Sequence, residues 1–298
     1  MQQPTMNAWH VWWLAIRPKT LGAAAAPVAM GVAMAWSAGV FHLGAALAAL
    51  AGALLLQIAA NFANDYFDWA KGADDERRVG PLRVVSAGLV APATMRLAVV
   101  LSLIAVVPVA AYLVWRAGPA FAWIAVASAA FAVLYTGGPR PLAYVGLGDV
   151  VAFAFFGPVA VAGTYAAQSQ SFAWAPAAAG VGPGCLAMTL LAVNNLRDRE
   201  GDARAGKRTL AVRFGAGFAK AEIVGSVLAA AAVPAALSAW SGRWGALAAS
   251  AACLTMAPAI RTVLGGGEGP ALNRVLAATG RLIFLYGAAF AIGWIAWP

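Results

Sequence analysis

Two clusters of carboxylates and amides stand out in a chain that carries few charges. The first reads Asn61-Phe62-Ala63-Asn64-Asp65-Tyr66-Phe67-Asp68 and continues to Gly72, Asp74, Asp75 and Glu76. The second reads Asn194-Asn195-Leu196-Arg197-Asp198-Arg199-Glu200-Gly201-Asp202. Asp65 and Asp68 are spaced i,i+3 and Asp198 and Asp202 i,i+4, so each pair can share one helix face. Asn61 and Asn64 extend the first polar face inward, and Asn194 extends the second. Both clusters contain Asn-x-x-x-Asp, at Asn61/Asp65 and Asn194/Asp198, which hints at an internal repeat of helices. Facing carboxylates repel, and a divalent cation relieves the repulsion. Oxygen-only ligands favour magnesium, which commonly keeps water or takes phosphate oxygens as further ligands. Two such clusters could hold a diphosphate between them through metal. In the bland alternative the acids solvate helix ends and pair with Arg77, Arg78, Arg197 or Arg199.

The nearby bases suit the same ligand. Lys71, Arg78, Arg83, Lys207 and Arg208 are candidates to contact a diphosphate, whose developing negative charge needs stabilising as it leaves. Taken singly, each is also explained as a topology determinant. A third feature is Tyr135-Thr136-Gly137-Gly138-Pro139-Arg140-Pro141-Leu142-Ala143-Tyr144, followed by Gly146-Leu147-Gly148-Asp149. Such Gly/Pro breaks interrupt helices where protein lines a cavity. Asp149 opens a very apolar run, and an acid at the edge of a span is a site candidate. Its bland reading is a solvated helix cap. His10 and His42 have no nearby partner in the sequence and receive no catalytic assignment.

The elements that must position these groups are membrane spans. The chain has 298 residues, 62% hydrophobic and 10% charged. A soluble protein has about 45–50% apolar and about 25% charged residues. Mean hydropathy is +0.77. These values exclude a secreted disulfide scaffold, a disordered chain and a conventional soluble enzyme. The net charge of +9 implies basic loops on the cytoplasmic side rather than nucleic-acid binding. Cys185 and Cys253 lie in apolar runs and read as packing residues.

The predicted architecture is an all-α, polytopic bundle of nine transmembrane helices in a single domain over 1–298. The spans are 21–40, 43–63, 97–115, 119–137, 149–167, 172–194, 222–241, 244–262 and 280–297. Each suffices to cross roughly 30 Å of hydrocarbon at about 1.5 Å per residue. With the N-terminus inside, all 20 basic residues except Arg116 and Arg243 fall on the inner side. Both acidic clusters then emerge at that same face. Trp12, Trp13, Trp115, Trp174, Trp240, Trp244, Trp294 and Trp297 lie near span ends and read as interfacial anchors. The segment around Trp9 is expected on the membrane surface, and Arg17-Pro18-Lys19 leads into a first span that is retained.

Together these residues resemble the UbiA-type family of intramembrane prenyltransferases, in particular its naphthoate-prenylating subgroup. The carrying segments are NFANDYFDWAKGADDERRVGPLRVVS from Asn61 to Ser86 and NNLRDREGDARAGKRTLAVRFG from Asn194 to Gly215, with YTGGPRPLAYVGLGD and FFGP between them. The resemblance implies a bundle of nine helices around a central cavity that accepts a polyprenyl tail. It implies Mg2+ held by Asp65, Asp68, Asp198 and Asp202, with Asn64 and Asp74 as further ligands. The wider superfamily often has an aspartate where Gly72 stands here, and the subgroup commonly has Glu where this chain has Asp149. Asn61, Asn64, Lys71, Arg78, Arg83, Asn194, Lys207 and Arg208 would contact diphosphate. Tyr66, Tyr135, Arg140, Tyr144 and Asp149 would line the acceptor or prenyl pocket.

The implied reaction joins polyprenyl diphosphate to 1,4-dihydroxy-2-naphthoate with loss of carbon dioxide, giving demethylmenaquinone. The implied setting is the bacterial inner membrane, with the lipid bilayer as surroundings, no nucleic acid and no obligate protein partner. Alternatives within the class use 4-hydroxybenzoate or homogentisate. Two other classes are a secondary transporter, whose midmembrane acids would bind coupling ions, and a non-enzymatic membrane assembly protein.

Overall fold

The computed structural model describes residues 6–72, 80 and 82–297 of the chain. Among them the regular structure is entirely helical. A short helix α1 (Ala8–Ile16) precedes α2 (Pro18–Ser37). Arg17 turns the chain between them in the left-handed region, φ 54°, and Pro18 opens α2 where its missing N–H would have no partner anyway. Then come α3 (Leu43–Ala70), α4 (Pro92–Ala117) and α5 (Ala120–Leu134). His42 is the N-cap of α3: its ring Nδ1 accepts from Ala45 N–H, so a residue with no role in the sequence reading has a structural one.

A loop with a 3-10 turn at Leu142–Val145 leads into α6 (Gly148–Phe156) and α7 (Pro158–Ser169). After these come α8 (Trp174–Arg204) and α9 (Leu210–Ser241). Two short helices follow, α10 (Leu247–Ala252) and α11 (Ala257–Leu264), flanked by 3-10 turns, and α12 (Pro270–Ala296) completes the series.

Eight stretches among the described residues are long and apolar enough to cross a membrane: α2, α3, α4, α6 with α7, α8, α9, the run Trp244–Leu264, and α12. The expected span at 119–137 is the shorter α5. It stops at Leu134 because Tyr135 is its C-cap and Gly138 then adopts a positive φ of 81°. Helix α9 starts well before the expected 222. Thr209 caps it, accepting from Val212 N–H, and Gly215 (φ 84°, ψ 175°) breaks its first turns from the rest.

The larger core joins α2, α8, α9, α12 and the 244–264 run. Tyr286 is fully buried there and its hydroxyl donates to the Ala230 carbonyl at 3.0 Å. Both cysteines are buried in the same core. Trp294 also belongs to it, stacked on Phe290 with ring centroids 5.2 Å apart. Its expected anchoring role is therefore corrected: Arg243 lies over its ring and the core takes the indole in. Trp115, Trp174, Trp240, Trp244 and Trp297 are exposed, as anchors should be. A second core lies under α1, α3, α4 and the turn at 84–90, with Val84, Val85, Met95 and Phe62 buried.

The joint between α6 and α7 is where backbone packs on backbone. A Cβ on Gly180 of α8 would lie 2.6 Å from Pro158 Cα, and one on Gly157 would lie 2.5 Å from the Gly180 carbonyl. Small residues permit this approach, the ordinary device of helix contact inside bilayers. It fixes α6, and with it Asp149, against the helix that carries Asp198 and Asp202.

Candidate active site

Helix α3 distributes its polar residues among three neighbours. Asn61 faces the junction of α1 and α2. It donates to Ile16 O at 2.8 Å and Thr20 Oγ1 at 2.9 Å, and accepts from Gln57 Nε2 at 3.2 Å. Its amide is buried among these partners. Asn64 turns toward the 135–149 segment and accepts from Thr136 Oγ1 at 2.8 Å.

Asp65 is 1% exposed and faces the 84–90 turn. Val84 N–H donates to its Oδ2 at 3.2 Å and Val85 N–H to its Oδ1 at 3.1 Å. Arg17 Nη2 stands 3.7 Å from Oδ2. Asp68 is 2% exposed and takes Arg83 Nη2 on Oδ2 at 2.7 Å. Its Oδ1 lies 3.5 Å from Lys207 Nζ.

The second cluster closes the site from α8. Lys207 Nζ is 3.6 Å from Asp202 Oδ1, so one ammonium sits between a carboxylate from α3 and one from α8. Asp198 is held differently. Arg197 grips it with Nε on Oδ1 at 2.7 Å and Nη2 on Oδ2 at 2.5 Å, a bidentate pair. The same guanidinium donates to Asn194 Oδ1 at 2.7 Å and to Asn273 Oδ1 of α12 at 2.8 Å. Asn194 thus orients Arg197 in this arrangement.

The Gly/Pro-rich segment supplies the floor. Tyr144 carries Lys71 Nζ 4.6 Å and Lys207 Nζ 5.1 Å from its ring centroid, so this tyrosine lies with the basic groups. Lys71 Nζ also donates to Thr136 O at 2.6 Å. Burial shifts the Lys71 ammonium below its ordinary pKa; Asp68 opposes that shift and Lys207 adds to it. Tyr135 is the residue on which the pieces converge. Burial raises its phenol well above the ordinary value, and the charges of Asp149, Asp68 and Asp202 reinforce the shift. Its ring also borders Gly148, the residue before Asp149. Asp149 is 2% exposed, and its Oδ1 has no hydrogen-bond partner among the described residues. A solvated cap would not look like this.

Other expected site residues stand apart. Tyr66 packs on Phe67 and Trp69 beside the second core. Arg140 and Arg208 are exposed. Arg208 contributes its backbone, with N–H donating to Tyr144 O at 2.9 Å. Asp74 and Arg78 lie outside the described residues. Three contributors escaped the sequence reading. Arg213 donates to Arg208 O and Val145 O, stapling the loop after α8 to the one before α6. Thr136 and Arg17 meet Asn64 and Asp65. None of the three carries a spacing signal: Arg213 lies in the first turns of α9, and Thr136 and Arg17 lie between helices.

Among the described residues, no three carboxylate, histidine or cysteine side chains converge into a ready metal cage. The Asp68 and Asp202 carboxylates nonetheless flank one cationic position, held here by the Lys207 ammonium. The buried Asp68 Oδ1 has no hydrogen-bond partner among the described residues. An all-oxygen pair around a cationic position, with amide and hydroxyl oxygens near, fits a hard divalent ion. A cavity of about 180 Å³ lined by Met34, Tyr165, Arg243 and Trp294 lies elsewhere, at the other helix ends.

Fold and site together define a polytopic helical membrane protein that gathers carboxylates and cationic side chains from two long helices and a Gly/Pro-rich loop. The UbiA prenyltransferase family matches residues 24–266, and the chain belongs to that family. It is 42% identical over 212 residues to a 1,4-dihydroxy-2-naphthoate octaprenyltransferase of Mycobacterium tuberculosis, covering 70% of this chain and 72% of that one. A protein of the same name from Mycobacterium leprae is 35% identical over 290 residues, 96% of each chain. Among solved structures, a UbiA homolog from Archaeoglobus fulgidus bound to GPP and Mg2+ superposes with a TM-score of 0.62 at 17% identity. That match covers 96% of this chain and 99% of the other.

Proposed function

We propose that the chain transfers a polyprenyl group from polyprenyl diphosphate to 1,4-dihydroxy-2-naphthoate, with loss of the acceptor's carboxyl group as carbon dioxide, to give demethylmenaquinone. The observation that carries this reading is the cationic position between Asp68 of α3 and Asp202 of α8, filled by the Lys207 ammonium, with Arg83 paired to Asp68 and Lys71 sharing the Tyr144 ring with Lys207. The names of the mycobacterial relatives support the acceptor and the menaquinone context.

In this reading Asp68 and Asp202 hold Mg2+, with Asn64 and Asp198 completing the oxygen donors. Bound there, the ion neutralises the diphosphate and stabilises it as it departs. Lys207 moves from the carboxylates onto phosphate oxygens, and Lys71 and Arg83 approach from either side. The allylic cation that develops must be kept from water, which the apolar bundle excludes. The Tyr135 phenol, kept protonated, lies between this end and Asp149, where it can orient the acceptor ring by hydrogen bonding. Asp149, buried and with an unfilled acceptor oxygen, serves the acceptor rather than the donor. Helix α5, 15 residues long, serves as the ninth span. The distribution of basic residues supports a cytoplasmic N-terminus, with the site on that side of a bacterial membrane.

Membranes containing the chain, given labelled polyprenyl diphosphate and each candidate acid in turn, test the reading. Prenylated product from the naphthoate, with carbon dioxide released in equal amount, is expected. Selective turnover of 4-hydroxybenzoate, or solute uptake by reconstituted vesicles without any prenylated product, would overturn it.

A further inference from the structure

Asp65 and Asp68 are three residues apart on one helix, yet their carboxylates have different employers. Asp68 meets side chains: Arg83 and Lys207. Asp65 spends one oxygen on each of two consecutive backbone amides, those of Val84 and Val85. Those amides open a compact turn. Ala87 N–H donates to Arg83 O, Gly88 N–H to Val85 O, and both Leu89 and Val90 N–H groups to Val84 O. Below the turn, Val84, Val85 and Val90 are buried against α1, α3 and α4. The residue immediately before the two amides is Arg83, whose guanidinium reaches Asp68 Oδ2 at 2.7 Å.

We infer that Asp65 is a positioning residue and not a metal ligand: its carboxylate caps the 84–90 turn and thereby sets where Arg83 enters the diphosphate site. The inference rests on the cation site proposed at Asp68 and Asp202. Side-chain counter-ions such as Lys207 can leave a carboxylate when metal arrives. Two buried backbone N–H groups have no such freedom, because losing their acceptor leaves both unpaired away from water. A carboxylate offers each amide its own oxygen, whereas asparagine has one carbonyl oxygen to share between them.

The test uses the purified full-length protein, Mn2+ as the metal probe and farnesyl S-thiolodiphosphate as an unreactive donor. In the wild-type chain, hydrogen exchange at the Val84 and Val85 amides is expected to stay equally slow in EDTA and with Mn2+ plus the analogue. Faster exchange on adding metal would mean the carboxylate leaves the amides to become a ligand, and would overturn the inference. This arm needs no variant and so cannot be confused by misfolding.

In a second arm, Asp65→Asn and Arg83→Gln are each expected to weaken analogue binding about tenfold, and the double variant about tenfold rather than about a hundredfold, because the two act as one unit. Mn2+ affinity at saturating analogue should change less than about threefold in Asp65→Asn, while Asp68→Asn lowers it by more than about tenfold. Multiplicative losses in the double variant, or equal Mn2+ losses in Asp65→Asn and Asp68→Asn, would defeat the inference. Unchanged Mn2+ affinity in Asp68→Asn would defeat the proposed cation site instead, and the exchange arm would still decide the role of Asp65.

Discussion

Lys207 Nζ lies 3.5 Å from Asp68 Oδ1, joining the loop after α8 to the end of α3. The same ammonium is 3.6 Å from Asp202 Oδ1. A lysine bridging two carboxylates occupies the electrostatic position of a divalent ion and leaves its own charge available to phosphate once displaced. Asp68→Asn and Asp202→Asn each remove half of that environment. Each should cut turnover by about a hundredfold or more, with normal membrane insertion, since charge stabilisation of this kind is worth several kcal/mol. Initial rates on equal amounts of inserted protein check this. A strong chelator should abolish turnover in the wild type, and added Mg2+ should restore it.

Tyr144 holds two ammonium groups over one ring. Each such contact contributes about 0.5–2 kcal/mol depending on desolvation. Tyr144→Phe keeps the ring and should leave donor KM within about threefold of wild type. Tyr144→Leu should raise it by about tenfold, because both lysines lose their orientation. Equal effects of the two substitutions would show that the hydroxyl, and not the ring face, does the work.

Lys71 gives the site a pH dependence with a definite sign. Burial lowers its pKa, so its positive charge is complete at low pH and is lost, as pH rises, earlier than for an ordinary lysine. Donor KM should therefore climb on the alkaline side. Lys71→Arg, which keeps its charge throughout, should flatten that limb. A KM profile that stays unchanged in Lys71→Arg would assign the limb to another group.

Asp149 should govern the acceptor. Asp149→Asn is expected to raise naphthoate KM or lower kcat while leaving Mg2+-dependent donor binding within about twofold, and Asp149→Glu to retain activity because it keeps the carboxylate. Separate binding measurements for the two substrates check the division. Loss of donor binding with normal naphthoate binding would contradict it.

The helices and the two acidic clusters were legible from hydropathy and spacing, because bilayer thickness and helical periodicity act directly on sequence. The division of labour inside each cluster was not. The i,i+3 spacing puts Asp65 and Asp68 on a shared face, but what that face meets depends on Arg83, fifteen positions beyond Asp68, and on the turn that follows it. Asn61 reads as an extension of the polar face, and nothing in its own segment shows that Ile16 and Thr20 on other helices accept from its amide. Trp294 has the composition of an anchor and the location of a core residue. The end of α5 was misplaced because Tyr135-Thr136 carries no breaker of its own; the glycines that follow stop the helix early.

The close seat of Gly157 on Gly180 leaves no room for a side chain between the α6–α7 joint and α8. Asp149 on one side and Asp198 and Asp202 on the other thus stand on elements held backbone to backbone, while Asp68 stands on α3. A methyl group at 157 or 180 would wedge that joint and displace Asp149 from the α8 carboxylates, so such variants should lose turnover with every side chain of the site still present.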